Sequence, residues 1–214
     1  MSLKEAYTGG ARAIASRSMT GLARTRVTPN MLTAAGVTLC AVGAVLVYFE
    51  YRTEWMFFFG GLAFVVGSIL DILDGALARA GGKQTPFGGF LDSTLDRASE
   101  AILYAGVATW FLSTLDAPTL PVLAVFVALT CSFLVSYARA RAEGIGLTAS
   151  VGLAPRTERL VLIIAGIALA GLGYTPILIG TIVLVAALTV VTVIQRIWHV
   201  WRLSQAATTR SEEN

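Results

Sequence analysis

The stretch "SILDILDGALARAGGKQTPFGGFLDSTLDRASE", residues 68–100, sets four aspartates behind an uncharged run over 55–70. Asp71 and Asp74 are three apart, and Asp92 and Asp96 are four apart, so each pair shares one helix face. Between the pairs, Gly81, Gly82, Pro86, Gly88 and Gly89 predict a short turn. The two segments read as an antiparallel helical hairpin that brings the acid pairs toward each other. Ionisable groups at the end of an apolar segment are costly and mark function. Such acids must be protonated, paired with bases or bound to cations. The local bases Arg79, Lys83 and Arg97 number fewer than the acids. An all-oxygen donor set suits hard cations, Mg²⁺ or Mn²⁺. Zinc is disfavoured, because no cysteine is near and the one histidine is His199. Gly75 and Ala78 extend the carboxylate face of the first segment and leave room for a ligand to approach its backbone, while Arg79 can pair with phosphate. Metals, an arginine and a small-residue pocket together point to a diphosphate substrate.

The rest of the chain places this hairpin in a membrane. Only 14% of the 214 residues are charged and 56% are hydrophobic; a soluble domain carries about 25% charged residues. Uncharged runs cover 31–49, 55–70, 101–115, 117–138 and 160–195. The last is too long for one crossing at about 20 residues per span, and Gly171, Gly173 and Pro176 divide it. The expected fold class is an all-α integral membrane protein with six transmembrane helices and both termini on one side. Fifteen of the sixteen Lys and Arg residues fall on that side and only Arg52 on the other, so the shared side, with the acids, reads as cytoplasmic at the plasma membrane.

Residues 1–26 hold five basic residues and no apolar core, which does not read as a signal peptide. Leu3, Tyr7, Ala11, Ile14, Ser18 and Leu22 recur at helical spacing, predicting an interfacial amphipathic helix. The expected organisation is this segment, a six-helix domain over 27–203 and a disordered tail over 204–214. Cys40 and Cys131 lie inside spans and read as packing residues. No nucleic-acid partner is expected.

Asp71-x2-Asp74-Gly75-x2-Ala78-Arg79-x8-Gly88-x3-Asp92-x3-Asp96 resembles, at every fixed position, the signature of the CDP-alcohol phosphotransferase family. The six-span layout and amphipathic N-terminus extend the resemblance to nearly the whole chain. It implies transfer of a substituted phosphate from a CDP-linked donor to an alcohol, with release of CMP. It implies that Asp71, Asp74, Asp92 and Asp96 hold one or two divalent ions, that Gly75, Ala78, Arg79 and Gly88 contact the CDP part, and that Asp96 acts as general base toward the acceptor hydroxyl. It also implies a homodimer, for which the glycines from Gly60 to Gly67 offer a surface for close helix packing.

A second basic cluster bears on the acceptor. Arg139 and Arg141 end the fourth span, Arg156 and Arg159 begin the fifth, and Arg196 ends the sixth. Positive-inside anchoring to lipid head groups is one reading; a pocket for a phosphorylated acceptor is the other. "SYARARAE", "PRTERL" and Gln195-Arg196 resemble the branch making phosphatidylinositol phosphate and its archaeal counterpart, archaetidylinositol phosphate, which implies inositol 1-phosphate as acceptor. Arg139 and Thr157 depart from the branch's common Lys and Pro, though the charge is kept. Glycerol 3-phosphate, giving phosphatidylglycerol phosphate, is the alternative acceptor, and inositol phosphate paired with CDP-inositol a third option. A divalent-cation transporter is the alternative of a different class; clustered arginines argue against a cation path.

Overall fold

Thr28 and Pro29 open the first helix. The Thr28 hydroxyl accepts from the Met31 amide at 3.3 Å, and Pro29 occupies the first turn, where its missing N–H costs nothing. The computed structural model describes residues 28–49, 55–80 and 85–212; at 29, 71, 72, 74–76, 78–80, 175 and 206–212 it describes backbone alone. The predicted N-terminal amphipathic segment, 1–26, lies outside the described residues.

The described residues form six helices in order: α1 (Pro29–Tyr48), α2 (Trp55–Ala80), α3 (Pro86–Thr114), α4 (Thr119–Glu143), α5 (Arg156–Ala170) and α6 (Thr175–Glu212). No strand occurs among the described residues. Among the described residues three helices are long and apolar enough to cross a membrane, over Asn30–Tyr48, Thr119–Glu143 and Pro176–Gln205, and α2 carries a shorter apolar stretch, Trp55–Leu70. The chain is membrane-associated. Phe58, Phe126, Ile194 and Trp198 point outward with half or more of their surface exposed or nearly so, the pattern of a lipid-facing exterior.

α1 packs against both α2 and α3, while α2 and α3 touch each other sparingly; α6 packs against α4 and α5. The core between them is aromatic and β-branched, with Phe57, Phe64, Trp110, Phe111, Ile163 and Ile182 nearly or fully buried. Small residues allow the closest approaches. A Cβ on Gly67 would lie 2.9 Å from the Gly36 carbonyl oxygen, and one on Gly106 would lie 2.9 Å from the Ala44 Cα. The Gly60 and Gly67 faces expected to serve contact between protomers therefore meet α1 within the chain.

Two boundaries differ from the sequence expectation and a third agrees with it. Pro86, Gly88 and Gly89, read as turn residues, form the first turn of α3, because Thr85 caps the helix with its hydroxyl on the Gly88 amide at 3.0 Å. The long apolar run does break at 171–174, where Gly173 takes φ 92° and the Tyr174 amide reaches back to the Leu169 carbonyl at 3.1 Å. The tail expected to be disordered from residue 204 continues as helix to Glu212. No Gly or Pro follows Gly180, so nothing local ends α6 earlier.

Candidate active site

The acid-bearing helix end and the arginine cluster meet at one end of the bundle. α3 presents Asp92 and Asp96 on one face, both half-buried. Asp71, Asp74, Gly75, Ala78 and Arg79 all lie in the last turns of α2, whose backbone is helical there; their side chains lie outside the described residues. Gly88 sits four residues before Asp92, in the capped first turn.

Arg156, at the first position of α5, reaches across to α3. Its Nη1 lies 2.9 Å from Asp96 Oδ1, and its Nη2 donates to the Asp96 carbonyl at 3.3 Å. Arg97 Nη1 stands 3.6 Å from the other Asp96 oxygen. Asp96 thus lies between two guanidinium groups. Below it, Ser68, Gly36, Gly67, Ser99 and Arg156 line a narrow cleft among α1, α2, α3 and α5.

The five arginines expected to bind the acceptor phosphate have different surroundings. Arg139 and Arg141 are exposed at the end of α4, and Arg139 Nε donates to Glu143 at 2.9 Å. Arg196 is nearly buried; its Nε donates to the Val151 carbonyl at 2.9 Å and its Nη1 to the Val135 carbonyl, so it ties α4, α6 and the 144–155 connection together. Arg159 has no exposure. Its Nη2 and Nε donate to Glu100 Oε1 at 2.9 and 3.3 Å, and its Nη1 donates to the Ala154 carbonyl at 2.8 Å. A guanidinium so engaged meets a phosphate only by giving up a buried carboxylate or carbonyl.

Glu100 is the residue that sequence reasoning missed. It lies four residues after Asp96, so Asp92, Asp96 and Glu100 form one carboxylate row down α3. That register was the available signal.

An all-oxygen donor pair, Asp92 and Asp96 one turn apart, fits a hard divalent ion. Among the described residues no group of three or more acids, histidines or cysteines is gathered for a metal; two of the four signature acids lie beyond them.

A family model described as CDP-alcohol phosphatidyltransferase matches residues 26–195. The phosphatidylinositol phosphate synthase of Mycolicibacterium smegmatis is 34% identical over 207 residues, covering 95% of this chain and 89% of that protein. The archaetidylinositol phosphate synthase of Pyrococcus horikoshii is 39% identical over 179 residues, covering 83% and 86%. Among solved structures, the Mycobacterium tuberculosis phosphatidylinositol phosphate synthase with CDP-DAG bound superposes with a TM-score of 0.77 at 32% identity, covering 88% of this chain and 94% of that one. The same enzyme in complex with manganese and citrate gives 0.77 at 31% identity, covering 87% and 88%. The matched segment runs from just before α1 to the residue preceding Arg196 and takes in both acid pairs and the capped start of α3, so the chain belongs to the CDP-alcohol phosphatidyltransferase family.

Proposed function

We propose that this enzyme moves a phosphatidyl-type group from a CDP-lipid to the hydroxyl of inositol 1-phosphate and releases CMP. The observation that carries the reading is the 2.9 Å pair between Asp96, last acid of the signature, and Arg156, the first residue of α5 and a member of the basic cluster. It puts the acid face of α3 against the cationic face of α5, where a nucleotide diphosphate and a phosphorylated acceptor can be held side by side. The inositol phosphate products named for two relatives support the acceptor, and the CDP-DAG bound to a structural neighbour supports the donor. Family membership displaces a cation transporter.

Asp71, Asp74, Asp92 and Asp96 would hold one or two Mg²⁺ or Mn²⁺ ions, which when bound supply charge neutralisation for the diphosphate and the departing CMP; a neighbour crystallised with manganese supports this. Gly75, Ala78, Arg79 and Gly88 would take the CDP part, the small residues admitting it to the backbone and Arg79 pairing with phosphate. Asp96 orients the acceptor hydroxyl and receives its proton as the oxygen attacks the lipid-side phosphorus; positioning and electrostatics carry most of such a transfer. Arg139, Arg141, Arg156 and Arg196 face the acceptor phosphate, and Arg159 supports them from beneath.

The same reading makes 27–203 one domain of six membrane crossings, with an interfacial helix before it, the site and both termini cytoplasmic, and the protein a homodimer in the plasma membrane. The deciding experiment incubates purified protein with CDP-diacylglycerol, Mg²⁺ and radiolabelled inositol 1-phosphate, with glycerol 3-phosphate in parallel. Labelled lipid with stoichiometric CMP is expected from the inositol arm. Product from the glycerol arm alone would replace this acceptor by the alternative.

A further inference from the structure

Glu100 lies one turn deeper on α3 than Asp96 and is wholly buried, as is its partner Arg159 on α5. Asp96 and Glu100 are four apart on one helix, and Arg156 and Arg159 three apart on the other, so Asp96–Arg156 and Glu100–Arg159 stack as two rungs between α3 and α5. The outer rung is partly open; the inner rung is buried. Arg159 also holds the Ala154 carbonyl at 2.8 Å, two residues before Arg156. The Ala154 amide donates to Thr192 at 3.2 Å, and the Leu153 amide to Gln195 Oε1 at 3.1 Å. Arg196, next to Gln195, holds the Val151 carbonyl. The inner rung therefore anchors the 151–156 backbone that carries Arg156 and borders Arg196.

We propose that Glu100 is a positioning residue for the phosphorylated acceptor. By aiming Arg159 at the Ala154 carbonyl it seats residues 151–156, so that Arg156 and Arg196 face the acceptor phosphate while Arg159 itself stays off it. The buried carboxylate is suited to this because an arginine alone in that cavity would be uncompensated, and the planar guanidinium can grip a carboxylate and a carbonyl at once. The inference rests on the acceptor reading above.

The test measures the Michaelis constants for inositol 1-phosphate and for CDP-diacylglycerol in purified variants. Glu100→Gln keeps the side chain's shape and removes its charge. It raises the acceptor constant on the order of 10-fold or more, as displacement of a positioning group does, and leaves the donor constant within about twofold. Glu100→Asp restores part of the loss. Arg159→Lys, which cannot span Glu100 and the carbonyl together, raises the same constant, and the double variant is no worse than the worse single one, because both act through one contact. Lower thermal stability with both constants unchanged overturns the proposal. A double variant whose losses multiply also overturns it, since Arg159 would then touch phosphate independently. If Glu100→Gln does not fold, Glu100→Asp against Arg159→Lys makes the same comparison. A wild-type protein that transfers to no phosphorylated alcohol sinks the acceptor reading and this inference together; normal transfer with flat variants sinks the inference alone.

Discussion

Asp92 is half-buried on α3 and lies one turn before Asp96, which already answers to Arg156 and Arg97. Exchanging Asp92 for Asn keeps the volume and removes the charge that a hard cation needs. Asp92→Asn should lower transfer at least about 100-fold, the upper range for even an outer partner of a metal ligand, with thermal unfolding unchanged; CMP release is the readout, and near-normal release would remove Asp92 from the site. Arg196 does two things. Its donations to Val151 and Val135 hold three segments together, and its charge faces the acceptor in the proposed site. Arg196→Ala should therefore raise the acceptor Michaelis constant and also cost roughly 1.5–3 kcal/mol, the range for a hydrogen bond to a charged group. Thermal melts beside kinetics separate the two; a stability loss with an unchanged constant would make Arg196 a strap only. The common face of Asp92 and Asp96 was legible in the sequence because helix spacing alone sets it. Glu100 was legible by the same rule and was passed over. The burial of Arg159 was not legible, since it depends on how α5 is rotated against α3, and no local pattern reports that.

Helix limits were largely readable, because uncharged runs and breakers mark them locally. What each helix touches was not. Gly60 and Gly67 form a small-residue strip that would serve a partner protomer or a neighbouring helix equally well; only the packed chain shows α1 against it. The consequence can be measured. Gly67→Ala places a methyl 2.9 Å from the Gly36 carbonyl, a backbone atom that cannot swing aside. Overpacking of this kind costs about 1–3 kcal/mol. Gly180, in α6, has nothing within 4 Å of such a methyl, and Gly→Ala at an unstrained helical position is stabilising by about 0.4–1 kcal/mol. Melting purified protein in one detergent should move Gly67→Ala down and Gly180→Ala level or up. Equal behaviour of the two would mean that the α1–α2 crossing is looser than 2.9 Å implies.

At the scale of the molecule, the six described helices are of unequal length, and the proposed six crossings must fit them to one membrane. α5 has 15 residues and rises about 22 Å at 1.5 Å per residue, less than the roughly 30 Å hydrocarbon core. Its start is pinned to α6, with Ala154 on Thr192 and Leu153 on Gln195, and its end turns directly into Thr175. α6 from Thr175 to Thr192 rises about 26 Å over the same depth. The 151–155 segment thus supplies what α5 lacks, and its backbone polar groups are tolerable there because α6 side chains and Arg196 satisfy them. Six crossings then require Asp116 and Leu172 on the outer side and Thr148 on the inner. In a background with Cys40 and Cys131 replaced by alanine, single cysteines at these three positions should divide accordingly. A membrane-impermeant maleimide should label 116 and 172 in intact cells, and 148 only after permeabilisation. Labelling of 172 together with 148 would mean that α5 re-enters without crossing, which would reverse the side on which α6 begins and undo the common placement of the acids and Arg196.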